Sequence, residues 1–223
     1  MAGPASSQSD LAADRDRAFG IVPVSRETER LLQLFVDMLV QHSARQNLIS
    51  RSTLPQLWTR HVADSLQLLD LAPDARTWID LGSGAGFPGL VLACALAGRA
   101  GATVHLIEST GKKATFLRDV VSHIAVPAVV HNVRIEDFVK NFKETADVVT
   151  ARALAPLDRL LALAEPLLKT PTIGLFLKGQ DIEAELTQAS KYWNMEAELA
   201  PSKTNPQSRV VIVRGLRRRP KRK

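Results

Sequence analysis

Apolar residues in the first third of the chain recur at helical spacing. Leu31, Leu34, Phe35, Met38, Leu39 and His42 share one face and predict a helix over 25–45. Ser25 suits its N-cap, and Glu27 and Glu29 its first turns. A second run, Leu57, Trp58, His61, Val62, Ser65, Leu66 and Leu69, predicts a helix that starts at Thr53 with Pro55 in its first turn. Pro73 and Asp74 mark a boundary. Residues 1–10, rich in Ala, Ser, Gly and Pro, are expected to lack regular structure. The two apolar stripes need a surface to cover. Residues 1–73 should therefore form a helical extension packed on the rest of the chain.

From residue 77 the periodicity switches back and forth. Strands are predicted at 77–81, 103–108, 128–133, 146–150 and 172–178. Helices are predicted at 87–97, 111–124, 156–168 and 181–192, with a short turn at 135–138. Two last strands, near 195–200 and 209–214, have no helix between them and should pair as an antiparallel hairpin. Alternating strands and helices imply an α/β fold over 74–214, a mostly parallel sheet with helices on both faces and an antiparallel last strand.

The first strand runs Trp78-Ile-Asp-Leu81 into Gly82-Ser-Gly84-Ala-Gly86-Phe87-Pro88-Gly89. Glycines at alternate positions make a turn that side chains would block, and strand, turn and helix form half of a nucleotide-binding unit. Gly84-x-Gly86-x-x-Gly89 matches the dinucleotide fingerprint, a weak match alone. Asp80 discriminates better. A pyrophosphate there would meet a like charge, whereas the ammonium and sulfonium of S-adenosylmethionine (SAM) would be attracted. The residues thus favour SAM over NAD. The closing hairpin points the same way, by analogy with Rossmann-like class I SAM-dependent methyltransferases.

Other positions fit a nucleoside site, each with a plainer alternative. Glu108 ends the second strand and could accept both ribose hydroxyls, or be a solvated acid. Ile135 could press on an adenine face with Glu136 near its edge, or Glu136 or Asp137 could cap a helix. Arg152 follows the fourth strand and could hold a carboxylate or phosphate, or pair with Asp158. Arg60 and His61 stand one turn from Asp64 and Ser65, within reach of i,i+3 and i,i+4 contacts. Lys112, Lys113 and Lys178 add positive charge near the sheet's carboxyl edge, or are merely solvated.

Bulk properties narrow the classes. The 223 residues suffice for one sizeable core. The beginning of the chain lacks the order of a signal peptide, and its longest apolar run, 90–97, is too short to span a bilayer. One cysteine, Cys94, excludes an internal disulfide and fits a reducing cytoplasm. No Cys/His spacing suggests a metal. The net charge is +6, and seven of the last ten residues are basic, so the body before them is nearly neutral. The segment 215–223 thus reads as an appended basic tail, able to hold phosphates or only to aid solubility.

Taken together, Asn47-Leu48, Arg60-His61-x-x-Asp64-Ser65, the run Ile79–Gly89, Gly111-Lys-Lys-x-x-Phe-Leu117, Arg152-Ala153 and Lys178-Gly179 resemble the RsmG (GidB) family. The resemblance covers roughly 25–214. It implies an enzyme that methylates N7 of one guanine in 16S rRNA of the small ribosomal subunit, with SAM as cofactor. It places cofactor contacts at Gly82, Phe87, Ile135, Glu136 and Arg152, which join Asp80, Gly84 and Glu108. Arg60, His61, Lys113 and Lys178 are the candidates for substrate contact; no catalytic base is assigned. A cytoplasmic monomer, needing no metal and no membrane, is expected. A small-molecule methyltransferase and a non-enzymatic RNA-binding module are the alternatives.

Overall fold

The computed structural model describes residues 4–46 and 48–220. Helix α1 spans Pro4–Ile21, so most of the first ten residues, expected to be irregular, are helical. Asp14 explains why the helix is held. It is 2% exposed and accepts hydrogen bonds from the N–H groups of Trp58 and Thr59 and from the Thr59 hydroxyl, at 2.8, 3.1 and 2.6 Å. Helix α2 spans Arg26–Gln46, and the Ser25 hydroxyl accepts from the Thr28 N–H as an N-cap. Asn47 lies outside the described residues.

The second expected helix is not one helix. A 3-10 segment, Arg51–Gln56, is capped by Ser50 and not by Thr53. A π-helical turn, Trp58–Ala63, comes next, then short helices α3, Asp64–Leu66, and α4, Leu68–Leu71. The apolar spacing survives these changes because each winding still returns a buried face within one turn.

The sheet begins after α4. Strand β1 is Thr77–Leu81, α5 is Gly89–Ala95, β2 is Thr103–Ile107, α6 is Gly111–Ile124 and β3 is Ala128–His131. Helix α7, Ile135–Asn141, replaces the expected turn. Then come β4, Val148–Arg152, α8, Leu157–Ala164, β5, Ile173–Lys178, α9, Ile182–Ala189, β6, Trp193–Pro201, and β7, Arg209–Arg218. The order is β3-β2-β1-β4-β5-β7-β6. The first five strands are parallel, and β7 runs antiparallel to both β5 and β6.

Two cores lie on the two faces. On one, Leu32, Phe35 and Leu39 of α2 are buried with Trp78, Leu90 and Phe116. Each such side chain contributes roughly 1.5–3 kcal/mol, which holds the N-terminal helices on the sheet. On the other, Ile79, Leu81, Phe176 and Trp193 meet α7, α8 and α9. Strand β7 continues to Arg218, so residues 215–218 of the expected tail are sheet; Lys221, Arg222 and Lys223 lie outside the described residues. None of the described helices is long and apolar enough to cross a membrane.

Candidate functional site

Strands β1 and β4 are neighbours, but the chain leaves them toward opposite sides of the sheet. A crevice opens at such a switch point, outside the carboxyl ends of the strands. Gly82 succeeds β1 and Arg152 ends β4, so the fold brings these two predicted residues to one place.

Alternation along β1 turns Trp78 and Asp80 toward α5 and turns Ile79 and Leu81 the other way. Asp80 is fully buried. Its Oδ2 accepts from the Gly89 N–H at 3.0 Å. Its Oδ1 is buried with no hydrogen-bond partner among the described residues. Burial pushes the carboxyl up to about 7. Gly89 must be glycine, since a Cβ would lie 2.6 Å from Asp80 Oδ2 and collide with Leu106. Gly82 has φ of 74°, and a Cβ there would lie 2.8 Å from Leu154.

Glu108 stands just past β2 and is buried. Its Oε2 accepts from the Gly84 N–H at 3.0 Å and its Oε1 from the Thr110 N–H at 2.7 Å. It therefore ties the glycine turn to the start of α6, while each oxygen keeps a second lone pair. Asn132 donates to the Glu108 carbonyl at 2.9 Å, which draws the segment before α7 to the same edge. Ile135 opens α7 half-buried; Glu136 is exposed, with Arg134 at 3.9 Å.

On the side of the N-terminal layer, the His61 ring stacks on Phe87, with centroids 4.9 Å apart and planes 24° apart. The Arg152 guanidinium carbon lies 6.0 Å from the centre of the Phe87 ring. Its partner is Asp64, at 3.9 Å, and not Asp158. Arg152 Nη1 and both His61 ring nitrogens are buried without partners among the described residues. Burial, followed by the charges of Arg152 and Arg60, brings His61 down to about 3, so the ring is neutral at physiological pH. Burial also lowers Arg152, against the pull of Asp64.

Several expected contacts differ. Arg60 does not pair with Asp64, because the π-helical turn brings residue i+5, and not i+4, to the next turn. Asp64 Oδ1 instead accepts from Gln67 Nε2 and the Thr204 hydroxyl, both at 2.8 Å. The Ser65 hydroxyl donates to the His61 carbonyl at 2.6 Å, not to the ring. Lys178 is already engaged: its Nζ lies 2.6 Å from Glu185 and donates to the Ala155 carbonyl at 2.7 Å. Cys94 is a core thiol that burial pushes up to about 12.

A cleft of about 960 Å³ adjoins the crevice, over the ends of β4 and β5. Arg17, Arg60, Arg152, Lys178 and Arg209 line it, against two acids, Asp64 and Glu185. Lys113, half-buried on α6, is not among its lining residues. Sequence reasoning missed Arg17 and Arg209. It also missed the Ser202–Ser208 connection, which forms one wall and whose Asn-Pro pair, Asn205-Pro206, was the one local hint of a turn. Among the described residues no group of three His, Cys, Asp or Glu gathers as for a metal ion.

Residues 28–211 match the family model described as GidB, rRNA small subunit methyltransferase G. A ribosomal RNA small subunit methyltransferase G of Bradyrhizobium sp. strain BTAi1 is 55% identical over 203 residues, covering 91% of each chain. A protein of the same description from Bradyrhizobium sp. strain ORS 278 is 52% identical over 215 residues, 96% of this chain and 97% of its own. In fold, the chain is similar to an O-methyltransferase of Bacillus cereus solved in complex with SAH. The TM-score is 0.60 at 15% identity, over 94% of this chain and all of that one.

Proposed function

The chain belongs to the GidB family of rRNA small subunit methyltransferases, and from that premise we propose that its crevice methylates N7 of one guanine in 16S rRNA. SAM is the cofactor, and it supplies a methyl group made electrophilic by a sulfonium.

One observation carries the assignment of the site. Four buried polar atoms, Asp80 Oδ1, Arg152 Nη1 and the two ring nitrogens of His61, have no partner among the described residues. Folded interiors rarely leave such atoms unsatisfied, and these flank Phe87 and the glycine turn. A zwitterionic ligand with a nucleoside end suits them. Asp80 takes its cationic part and Arg152 its carboxylate, with Phe87 as the wall between. Gly82 and Gly84 let the backbone approach. Glu108 accepts the ribose hydroxyls, Ile135 covers the adenine and Glu136 stands at its edge.

Guanine N7 carries a free lone pair, so no proton has to leave before it attacks. The residues then have to hold the base in line, and orientation supplies the catalysis. N7 methylation leaves the base cationic. His61, held neutral beside Phe87, adds no opposing charge there. Arg60, Arg17 and Arg209 serve phosphates along the cleft, and Lys178 braces its floor through Glu185, while Lys113 stands outside the cleft lining. We take the enzyme to be a monomer that needs no metal and acts in the cytoplasm.

The test uses the purified protein, radiolabelled SAM and 16S rRNA, offered both deproteinised and in small subunits. Label at a single guanine, with the strand scission that N7-methylguanine undergoes on reduction and aniline treatment, is expected. Label only in small molecules would establish the small-molecule enzyme. Binding of RNA with no label would establish the binding module.

A further inference from the structure

Strand β7 carries cations at both ends. Arg209, at its start, lines the cleft and pairs in register with Lys178 of β5. Arg217 and Arg218 stand at its far end, opposite Asn194 and Trp193 of β6. The strand is 10 residues long, about 30 Å of contour at roughly 3.3 Å per residue. The far end is therefore a surface separate from the cleft.

That end has the make-up of a nucleic-acid contact. Arg217 and Arg218 are exposed, and neither has a carboxylate partner among the described residues. Consecutive strand residues face opposite ways, so both faces of the ribbon end are positive. Arg219 is fixed beside them: its N–H donates to the Tyr192 carbonyl at 2.8 Å and its Nε to the Trp193 carbonyl at 3.3 Å. Tyr192 is itself 52% exposed and is the one large aromatic so exposed among the described residues. Of the acids nearby, one is paired with a different residue, and Glu196 shares a recess with Arg217 without an ion pair among the described residues. Glu198 pairs with Arg214 at 3.2 Å, and Glu196 stands opposite Arg214 in the ladder.

We propose that Tyr192, Arg217, Arg218 and Arg219 form a second RNA contact, in which an unpaired base stacks on Tyr192 while the arginines hold the adjoining phosphates. Stacking on an exposed aromatic beside cations is the usual means of gripping unpaired RNA. The proposal rests on an rRNA substrate, and it deepens that reading. A substrate that meets both ends of β7 must be a folded RNA larger than the methylated loop.

The full chain is compared with Tyr192→Ala, Tyr192→Phe and the double variant Arg217→Ser, Arg218→Ser. Binding is measured to deproteinised 16S rRNA and to a short transcript around the labelled guanine, across a salt series. For 16S rRNA, Tyr192→Ala should bind roughly tenfold more weakly and Tyr192→Phe as the parent. The double variant should lower the slope of log affinity against log salt by about 1–2. The short transcript should bind all four proteins alike. Parent affinity for Tyr192→Ala and parent slope for the double variant on 16S rRNA would overturn the second contact, as would equal weakening on the short transcript. Binding of an acidic ribosomal protein, with RNA affinity unchanged, would assign the surface to a protein instead. Retained methylation of rRNA in any of these cases leaves the proposed function standing, whereas loss of methylation in the parent itself defeats that reading first.

Discussion

The Arg152 guanidinium at the end of β4 is held 3.9 Å from the Asp64 carboxylate, which the N-terminal layer supplies. Asp64 in turn accepts from the Thr204 hydroxyl in the β6–β7 connection. One carboxylate thus orients the cation of the crevice and pins a wall of the cleft. Asp64→Asn should keep the bonds to neutral donors and lose the charge. SAM affinity should fall several-fold, and the KM for rRNA should rise more than kcat falls. Calorimetry and steady-state kinetics check this; an unchanged KM would remove Asp64 from the site.

Asp80→Asn tests the buried carboxylate without changing its volume. In the parent, Asp80 holds its proton up to about pH 7, so SAM affinity should strengthen as pH rises through 7 and then level off. Asparagine should bind at least tenfold more weakly at pH 8 and lose that dependence. Stability should move the other way. The folded carboxyl is harder to ionise than the unfolded one, so the ligand-free parent loses stability as pH rises from about 4 through 7. The variant should be as stable as the parent, or more so, at pH 8. Calorimetric titration and thermal melts over pH 5.5–8.5 read both effects.

Glu108 binds the Gly84 and Thr110 N–H groups before any ligand arrives. Glu108→Ala should weaken SAM and SAH equally, by roughly 1–3 kcal/mol, because the methyl group is remote from the ribose. A loss confined to SAM would contradict the assignment.

His61 is neutral in the fold down to about pH 3 but protonates near 6.5 when unfolded. The unfolded state therefore gains protons first as pH falls, and stability drops between about 6.5 and 3. His61→Phe keeps a ring against Phe87 and should remove roughly 2–3 kcal/mol of the acid destabilisation at pH 4. Denaturant unfolding at pH 4 and pH 7 gives the difference.

Gly89→Ala places a methyl group against Leu106 and 2.6 Å from Asp80 Oδ2. Neither neighbour can withdraw, since both are fully buried. A loss of about 2–3 kcal/mol is expected, seen as a lower Tm before any cofactor is added.

Local patterns were the legible part. The apolar run Trp78–Leu81 and the glycines after it specify a strand, a turn and a helix within a dozen positions, and Ser25 caps where it should. Asp80, Glu108 and Arg152 were readable because each stands at or near a strand end. Contacts that bridge distant parts of the chain leave no periodic trace. Asp14 reaches Trp58 and Asp64 reaches Thr204 through single side-chain bonds. The π-helical winding at His61 has the composition of an ordinary helix, so the partners of Asp64 were misread. Arg214-Gly-Leu-Arg-Arg has no strand character of its own. It becomes strand because Trp193–Glu196 of β6 offers it a ladder.

The cleft has a consequence for the newborn chain. One wall includes Arg17 and Ile21, the other Ser202 and Arg209, from opposite ends of the sequence. The glycine turn and the strands that frame the crevice are complete by Arg152, long before the second wall leaves the ribosome. A nascent chain therefore carries the glycine turn and the strands beside it before it carries the second wall of the cleft. The proposed grip on RNA along that cleft is thus completed later in synthesis than the glycine turn.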